Sequence, residues 1–292
     1  MTVPSYLTEF TFQREWVERR GIFLLLAFFL GGLGGGLYLV SLYLHLHIGL
    51  VVGLLIVLIG KGGTHLIYLG KPMRFWRGFL RLQTSWIARG LVAVAAFVVF
   101  GALQLAPTLP QLSWLPWTAD NRAILVLVIL AAVALITYTG FALGVVKAIP
   151  FWNTALMPVL FMACSLLGGC GLALLIIILT GASPTNLAMV ENIVRWLLPI
   201  LALLLGIYVW VSYYGSVASR KSVLELVKGR ISPHFLVGVV VIGIILPLSI
   251  AVVGFFQEIS PAVLVIGILG ELIGGFLTRY SILKAGAYTP LV

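Results

Sequence analysis

Residues 122–146 read RAILVLVILAAVALITYTGFALGVV, and behind Arg122 come 24 residues without a single charge. At about 1.5 Å per residue, such a run crosses a hydrocarbon layer of roughly 30 Å. Working outward, seven more segments of this kind can be read. The eight run over roughly 22–45, 48–69, 85–106, 122–146, 152–180, 187–214, 233–256 and 260–281. Pro, Gly and basic residues punctuate them: Lys71-Pro72, the Pro/Trp-rich stretch 107–117, Ala148–Pro150, Gly181–Pro184 and the basic stretch 220–230. The expected fold is therefore all-α and integral to the membrane, with eight transmembrane helices over 22–281. Residues 1–21 and 282–292 are expected to form tails outside the bilayer.

Composition supports the same conclusion. The chain is 62% hydrophobic and 9% charged, with a mean hydropathy of +1.18. A soluble domain of 292 residues would need far more surface charge. The first twenty residues are polar and mixed in charge, and the apolar run behind them is too long for a signal h-region, so the first helix is expected to persist in the mature protein. Aromatic residues fall near predicted helix ends (Trp86, Trp114, Trp117, Trp152, Tyr280), where amphipathic rings settle at a membrane interface. Cys164 and Cys170 lie six residues apart on different helix faces, which suits packing better than a cluster.

The net charge of +10 reads as a topology signal and not as nucleic-acid binding. With alternating loops, 14 of the 18 Lys and Arg fall on one side: the N-terminal tail, the second, fourth and sixth loops, and the C-terminal end, where Arg279 is placed at the helix edge. The opposite loops carry Arg122 alone, and Lys61, Arg89 and Arg195 lie inside helices. The positive-inside rule then puts both termini in the cytoplasm.

Ionisable groups within hydrocarbon are costly and each invites a functional explanation. Lys61 and His65 share a face of the second helix, and Tyr138 lies at a similar depth in the fourth. A phenol, an imidazole and an ammonium near one leaflet suit hydrogen bonding and proton exchange with a quinone head group. The bland alternatives are that Lys61 snorkels to the interface, which is preferred for that residue, and that His65 bonds a carbonyl. Glu191 and Arg195 form an i, i+4 pair in the opposite half, either mutually neutralising or involved in proton movement. Glu271, mid-helix without a partner in its own helix, is a further proton-transfer candidate. Glycine clusters at 31–36, 168–171 and 270–275 allow close helix approach by default. Bare backbone at Gly34–Gly36 could instead leave room for a flat ring or tail. The four histidines form no deep pairs on facing helices, so no haem is expected, and no metal site or nucleotide motif is evident.

Several strings carry a family resemblance: HLIYLGKPMRFWRGFLRLQTSWIARG (65–90), YTGFALG (138–144) and PFWNTALMPVLF (150–161), with GGLGGGLYL (31–39) and RYSILKAGAY (279–288) in matching order. The chain resembles the NrfD/PsrC family of polysulfide-reductase-type membrane subunits along nearly its whole length. The resemblance implies a haem-free, quinone-reactive anchor whose eight helices form two four-helix bundles. It also implies a four-cluster ferredoxin-like iron–sulfur partner, often joined to a molybdopterin catalytic subunit. Tyr138 corresponds to a quinone-bonding tyrosine and Arg195 to an arginine on a suggested proton route. Two family features are missing: a helix-1 histidine, where Leu24–Ala27 stand here, and an acid before the loop-2 proline, where Gly70 and Lys71 stand. His65 is the candidate to supply the missing imidazole.

The expected function is thus electron exchange between menaquinone or ubiquinone, bound as substrate, and a partner's iron–sulfur cluster in an inner-membrane complex. Tyr138 and His65 would bind the quinone, and Glu191, Arg195, Glu271 and Lys61 are the proton-transfer candidates. Arg74, Arg77 and Arg81 would contact the partner, although topology alone accounts for their charge. A secondary transporter or ion carrier lined by Glu191, Arg195 and Glu271 is the alternative from another class. A passive anchor is a third; it explains the loops but leaves the Tyr138/His65 grouping unexplained.

Overall fold

The computed structural model describes residues 10–181 and 184–290. Residues 1–9 of the expected N-terminal tail, 182–183 of the fifth loop and 291–292 of the C-terminal tail lie outside the described residues. Eight helices are long and apolar enough to cross a membrane: Gly21–Tyr43, His47–Leu69, Trp86–Thr108, Arg122–Gly144, Leu156–Thr180, Pro184–Gly215, Pro233–Val253 and Pro261–Ala285. They are called the first to eighth spans below. The chain is a multi-pass, all-α membrane protein, with no β-strand among the described residues.

The first and fifth spans pack against each other at the centre. The first four spans form one bundle and the last four another, joined through this contact. Glycine makes the central contact possible. A Cβ on Gly36 would lie 2.0 Å from the Ser165 carbonyl oxygen, and one on Gly169 would lie 2.3 Å from the Gly36 carbonyl carbon. Such backbone-to-backbone approach maximises dispersion contact, the main adhesive between helices in lipid. Gly34–Gly36 leave no room for the ring or tail that bare backbone suggested. Gly34 meets Gly53 and Val57, Gly35 meets Leu135 and Ile136, and Gly36 meets the fifth span.

The expected span boundaries differ most at two places. The fifth span starts at Leu156, because Ile149–Ala155 form a turn folded beneath the second bundle. Phe151 and Trp152 are buried in it. Tyr208 Oη donates to the Phe151 carbonyl (2.7 Å), and Trp152 Nε1 donates to the Ile282 carbonyl (2.8 Å). Trp152 is therefore an internal pin and no part of an interfacial belt. The eighth span runs on to Ala285, so Arg279 is no edge residue. Buried at 2% exposure, it leaves 13 basic residues, not 14, to the loops of that side.

Local irregularities follow from the sequence. Ile56–Lys61 form a π-helical turn within the second span. Thr64 Oγ1 donates to the Gly60 and Lys61 carbonyls (2.7 and 3.1 Å), covering acceptors within the widened turn. The basic sixth loop is a helix, Val217–Lys228, started by Ser216, whose Oγ accepts from the Ser219 amide at 3.1 Å. The second loop winds as a 3₁₀ helix over Pro72–Arg81. The two ends of the chain are clasped together. Phe12 bridges Ala287, the Gln13 amide donates to the Gly286 carbonyl at 2.7 Å, and Lys284 pairs with Glu18. The Lys284 ammonium holds the Glu18 carboxyl below its ordinary pKa. Residues 12–18 and 284–287 accordingly meet on one face.

Candidate functional site

Four spans of the first bundle build one polar centre. The π turn carries Lys61 inward, to 3% exposure, instead of outward to solvent. The snorkelling expectation for Lys61 is thus overturned. Its Nζ donates to Tyr138 Oη at 2.6 Å and to the Ala27 carbonyl at 3.2 Å, and lies 4.9 and 6.0 Å from the Tyr138 and Phe28 ring centroids. Two glycines shape the niche. A Cβ on Gly31 would meet the Lys61 stem at 2.7 Å, and one on Gly90 would meet the Tyr138 ring at 2.2 Å.

This arrangement has a direct chemical consequence. Because the Tyr138 oxygen accepts from an ammonium, its own O–H is aimed elsewhere and stays available as a donor. An ammonium in hydrocarbon costs about 2.5–3.5 kcal/mol. Here a phenol oxygen, a carbonyl and two ring faces offset part of that cost.

His65 stands one helical turn beyond Lys61, half-buried, its ring centroid 6.2 Å from that of Tyr68. Its Nδ1 is buried without a hydrogen-bond partner, and the expected bond to a carbonyl is not formed there. The structure therefore joins Tyr138 to Lys61 directly and leaves His65 one helical turn beyond Lys61, its Nδ1 unused.

The second bundle gathers the other three candidates. Arg195 Nη2 donates to Glu191 Oε2 at 3.3 Å and to the Gly254 carbonyl at 2.9 Å, where it caps the end of the seventh span. Both side chains are about a fifth exposed (21% each), so the pair is not deeply buried. A cavity lined by Glu191, Arg195, Gly254 and Leu174 leads from this pair to Glu271. The Glu271 carboxyl is 5% exposed, and its Oε2 has no partner. From Glu271 a second cavity runs past Cys164, Gly274 and Thr278. Glu271 thus lines both spaces.

Arg279 is the buried charge that sequence reasoning missed. Its Nη2 donates to Ser165 Oγ at 3.0 Å and its Nη1 to the Gly275 carbonyl at 2.9 Å, while Nε has no partner. The rings of Phe161 and Phe29 lie 5.4 and 5.7 Å from the guanidinium. The first span passes between the two buried cations, with Gly31 against Lys61 and Gly32 against Arg279. The signal was present in the spacing: Glu271, Gly275 and Arg279 recur every four residues and share one helix face.

Of the docking candidates, Arg74, Arg77 and Arg81 are all exposed on the 3₁₀ segment. With three residues per turn, Arg74 and Arg77 form one row and Met73 and Trp76 the next. Met73 (85%) and Trp76 (51%) are exposed beside them. Among the described residues no group of three or more His, Cys, Asp or Glu is placed to hold a metal ion, and Cys164 and Cys170 are buried free thiols.

Comparison with known proteins agrees with this architecture. The family model described as "Polysulphide reductase, NrfD" matches residues 19–290. Protein NrfD of Escherichia coli is 26% identical over 261 residues, covering 82% of this chain and 79% of that protein. The Protein NrfD homolog of Haemophilus influenzae is 27% identical over 265 residues, covering 82% of each.

Proposed function

This chain belongs to the polysulphide reductase NrfD family, and on that premise we propose that it is the quinone-reactive membrane subunit of a multi-subunit oxidoreductase. Electrons pass between menaquinone or ubiquinone and an iron–sulfur cluster of a docked partner, with molybdopterin, where present, in a third subunit. The observation that carries this reading is the Lys61–Tyr138 hydrogen bond. It leaves a phenol O–H free to donate within a niche walled by glycines.

A bound quinone supplies the electron- and proton-accepting couple. The residues of this chain do the rest. Tyr138 Oη donates to one carbonyl oxygen and the unpartnered His65 ring to the other. The Lys61 ammonium fixes the direction of the Tyr138 O–H and favours negative charge on any oxygen that Tyr138 holds. The apolar walls (Phe28, Gly31, Gly90) exclude water, so these few dipoles act in a low-dielectric setting. Arg74, Arg77 and Arg81, interleaved with Met73 and Trp76, form the surface on which the iron–sulfur partner docks, close to the Tyr138 end of the bundle.

The two cavities that Glu271 lines favour proton transfer through the second bundle, using Glu191, Arg195 and Glu271. The same cavities are the one observation on the side of secondary ion transport. Affinity purification of the tagged chain from mild detergent separates the two functions. A redox subunit brings down an iron–sulfur protein that quinol reduces, whereas a transporter purifies without one. The location that fits is the cytoplasmic membrane, with both termini and the Tyr138–Lys61 site on the cytoplasmic side, where the loop charge lies.

A further inference from the structure

A groove runs between the sixth and seventh spans, outside both polar centres. It is lined by Leu205, Gly206, Val209, Tyr213, Val240 and Ile244, and Val223 of the Val217–Lys228 helix closes one end. Two features distinguish it from the ordinary lipid-facing surface. First, it is a concave recess of about 500 Å³, with Gly206 exposed along it. Second, its closed end is basic. The Arg220 guanidinium lies 4.5 Å from the Tyr213 ring centroid and donates to Tyr213 Oη at 2.7 Å, a neutral partner. Arg220 and Lys221 are exposed, and no carboxylate among the described residues pairs with either. The single acid of that segment, Glu225, accepts instead from the Arg230 backbone amide at 2.9 Å.

Depth agrees with charge. Trp210 (67% exposed) and Tyr214 (68%) flank the groove near the end of the sixth span, at the level where aromatic girdles mark the membrane interface. The apolar floor therefore lies in hydrocarbon, and the cations sit at headgroup height. We infer that the groove binds an anionic phospholipid, with an acyl chain along Gly206 and Val240 and the phosphate held by Arg220. A basic rim over an interhelical groove recognises this chemistry, because each basic side chain near the surface strengthens attraction to anionic lipid about fivefold.

The test is native mass spectrometry of the full-length protein, delipidated in detergent and titrated with phosphatidylglycerol or phosphatidylcholine of matched acyl chains. The expected result is selective retention of phosphatidylglycerol. Arg220→Gln should lower that retention about fivefold and leave phosphatidylcholine unchanged. Gly206→Leu, whose side chain enters open space and spares the fold, should lower retention of both lipids. Equal retention of the two lipids by the unaltered protein would overturn the inference. So would loss in Gly206→Leu without any effect of Arg220→Gln, the pattern of a neutral chain or detergent in the groove. Neither outcome bears on Tyr138 or Lys61, so the quinone reading is tested separately.

Discussion

Lys61 Nζ donates to Tyr138 Oη at 2.6 Å, tying the second span to the fourth by an ammonium–phenol bond near one membrane leaflet. A buried cation with no carboxylate in its bonds is an expensive way to join two helices, since dispersion and glycine contacts do so elsewhere in this fold. The cost is understandable if the ammonium serves Tyr138.

That relationship gives opposite expectations for stability and activity in one variant. Lys61→Met keeps the length of the side chain and removes the charge. Thermal stability should hold or rise, by up to about 3 kcal/mol. Quinol-linked turnover of the assembled complex should fall about 10- to 100-fold, because the direction of the phenol is lost. Thermal unfolding and steady-state kinetics on one preparation measure both. A large loss of stability with proportional loss of activity would make Lys61 a purely structural residue.

Gly90→Ala tests the niche from the other side. Its methyl would lie 2.2 Å from the Tyr138 ring, so the ring or the third span must shift. The expected outcome is an assembled subunit with a raised KM for quinol. Gly206→Ala, placed in open space, serves as the control and should leave KM unchanged.

Glu271→Gln preserves shape and hydrogen-bonding capacity but cannot release a proton. Since Oε2 has no partner to lose, assembly should be unaffected. In proteoliposomes, quinol-driven electron transfer should continue while any accompanying proton movement, followed with a pH-sensitive dye, drops at least severalfold. Unaltered proton movement would remove Glu271 from the path.

The basic loops predict that the face holding both clasped ends is the cytoplasmic one. A fluorescent reporter that matures only in the cytoplasm, fused to the C-terminus, should light up. Alkaline phosphatase activity from the same position would reverse the orientation and place the docking surface on the outer side.

The spans were legible because hydrocarbon thickness imposes long uncharged runs whatever packs against them. Seven of the eight starts fall within three residues of expectation; the fifth is delayed by four. That exception lay in Phe151 and Trp152, whose apolar character served an internal turn in place of a helix. The grouping of Tyr138 with Lys61 was anticipated by depth, but its geometry was not. A π turn shifts the register by which one predicts a helix face, so Lys61 points inward where simple snorkelling pointed it out. Arg279 was hidden for a different reason. Basic residues near a predicted end are read as loop charge, and only the length of the eighth span shows otherwise.

If Tyr138 hydrogen-bonds the quinone, Tyr138→Phe in the assembled complex removes that bond. Electron transfer should be followed from quinol over a full titration, and from an artificial donor that bypasses the membrane subunit. The expected result is an unchanged bypass rate with quinol-linked turnover lower by about 10- to 100-fold. Quinol-linked turnover equal to that of the unaltered complex at every quinol concentration would contradict it.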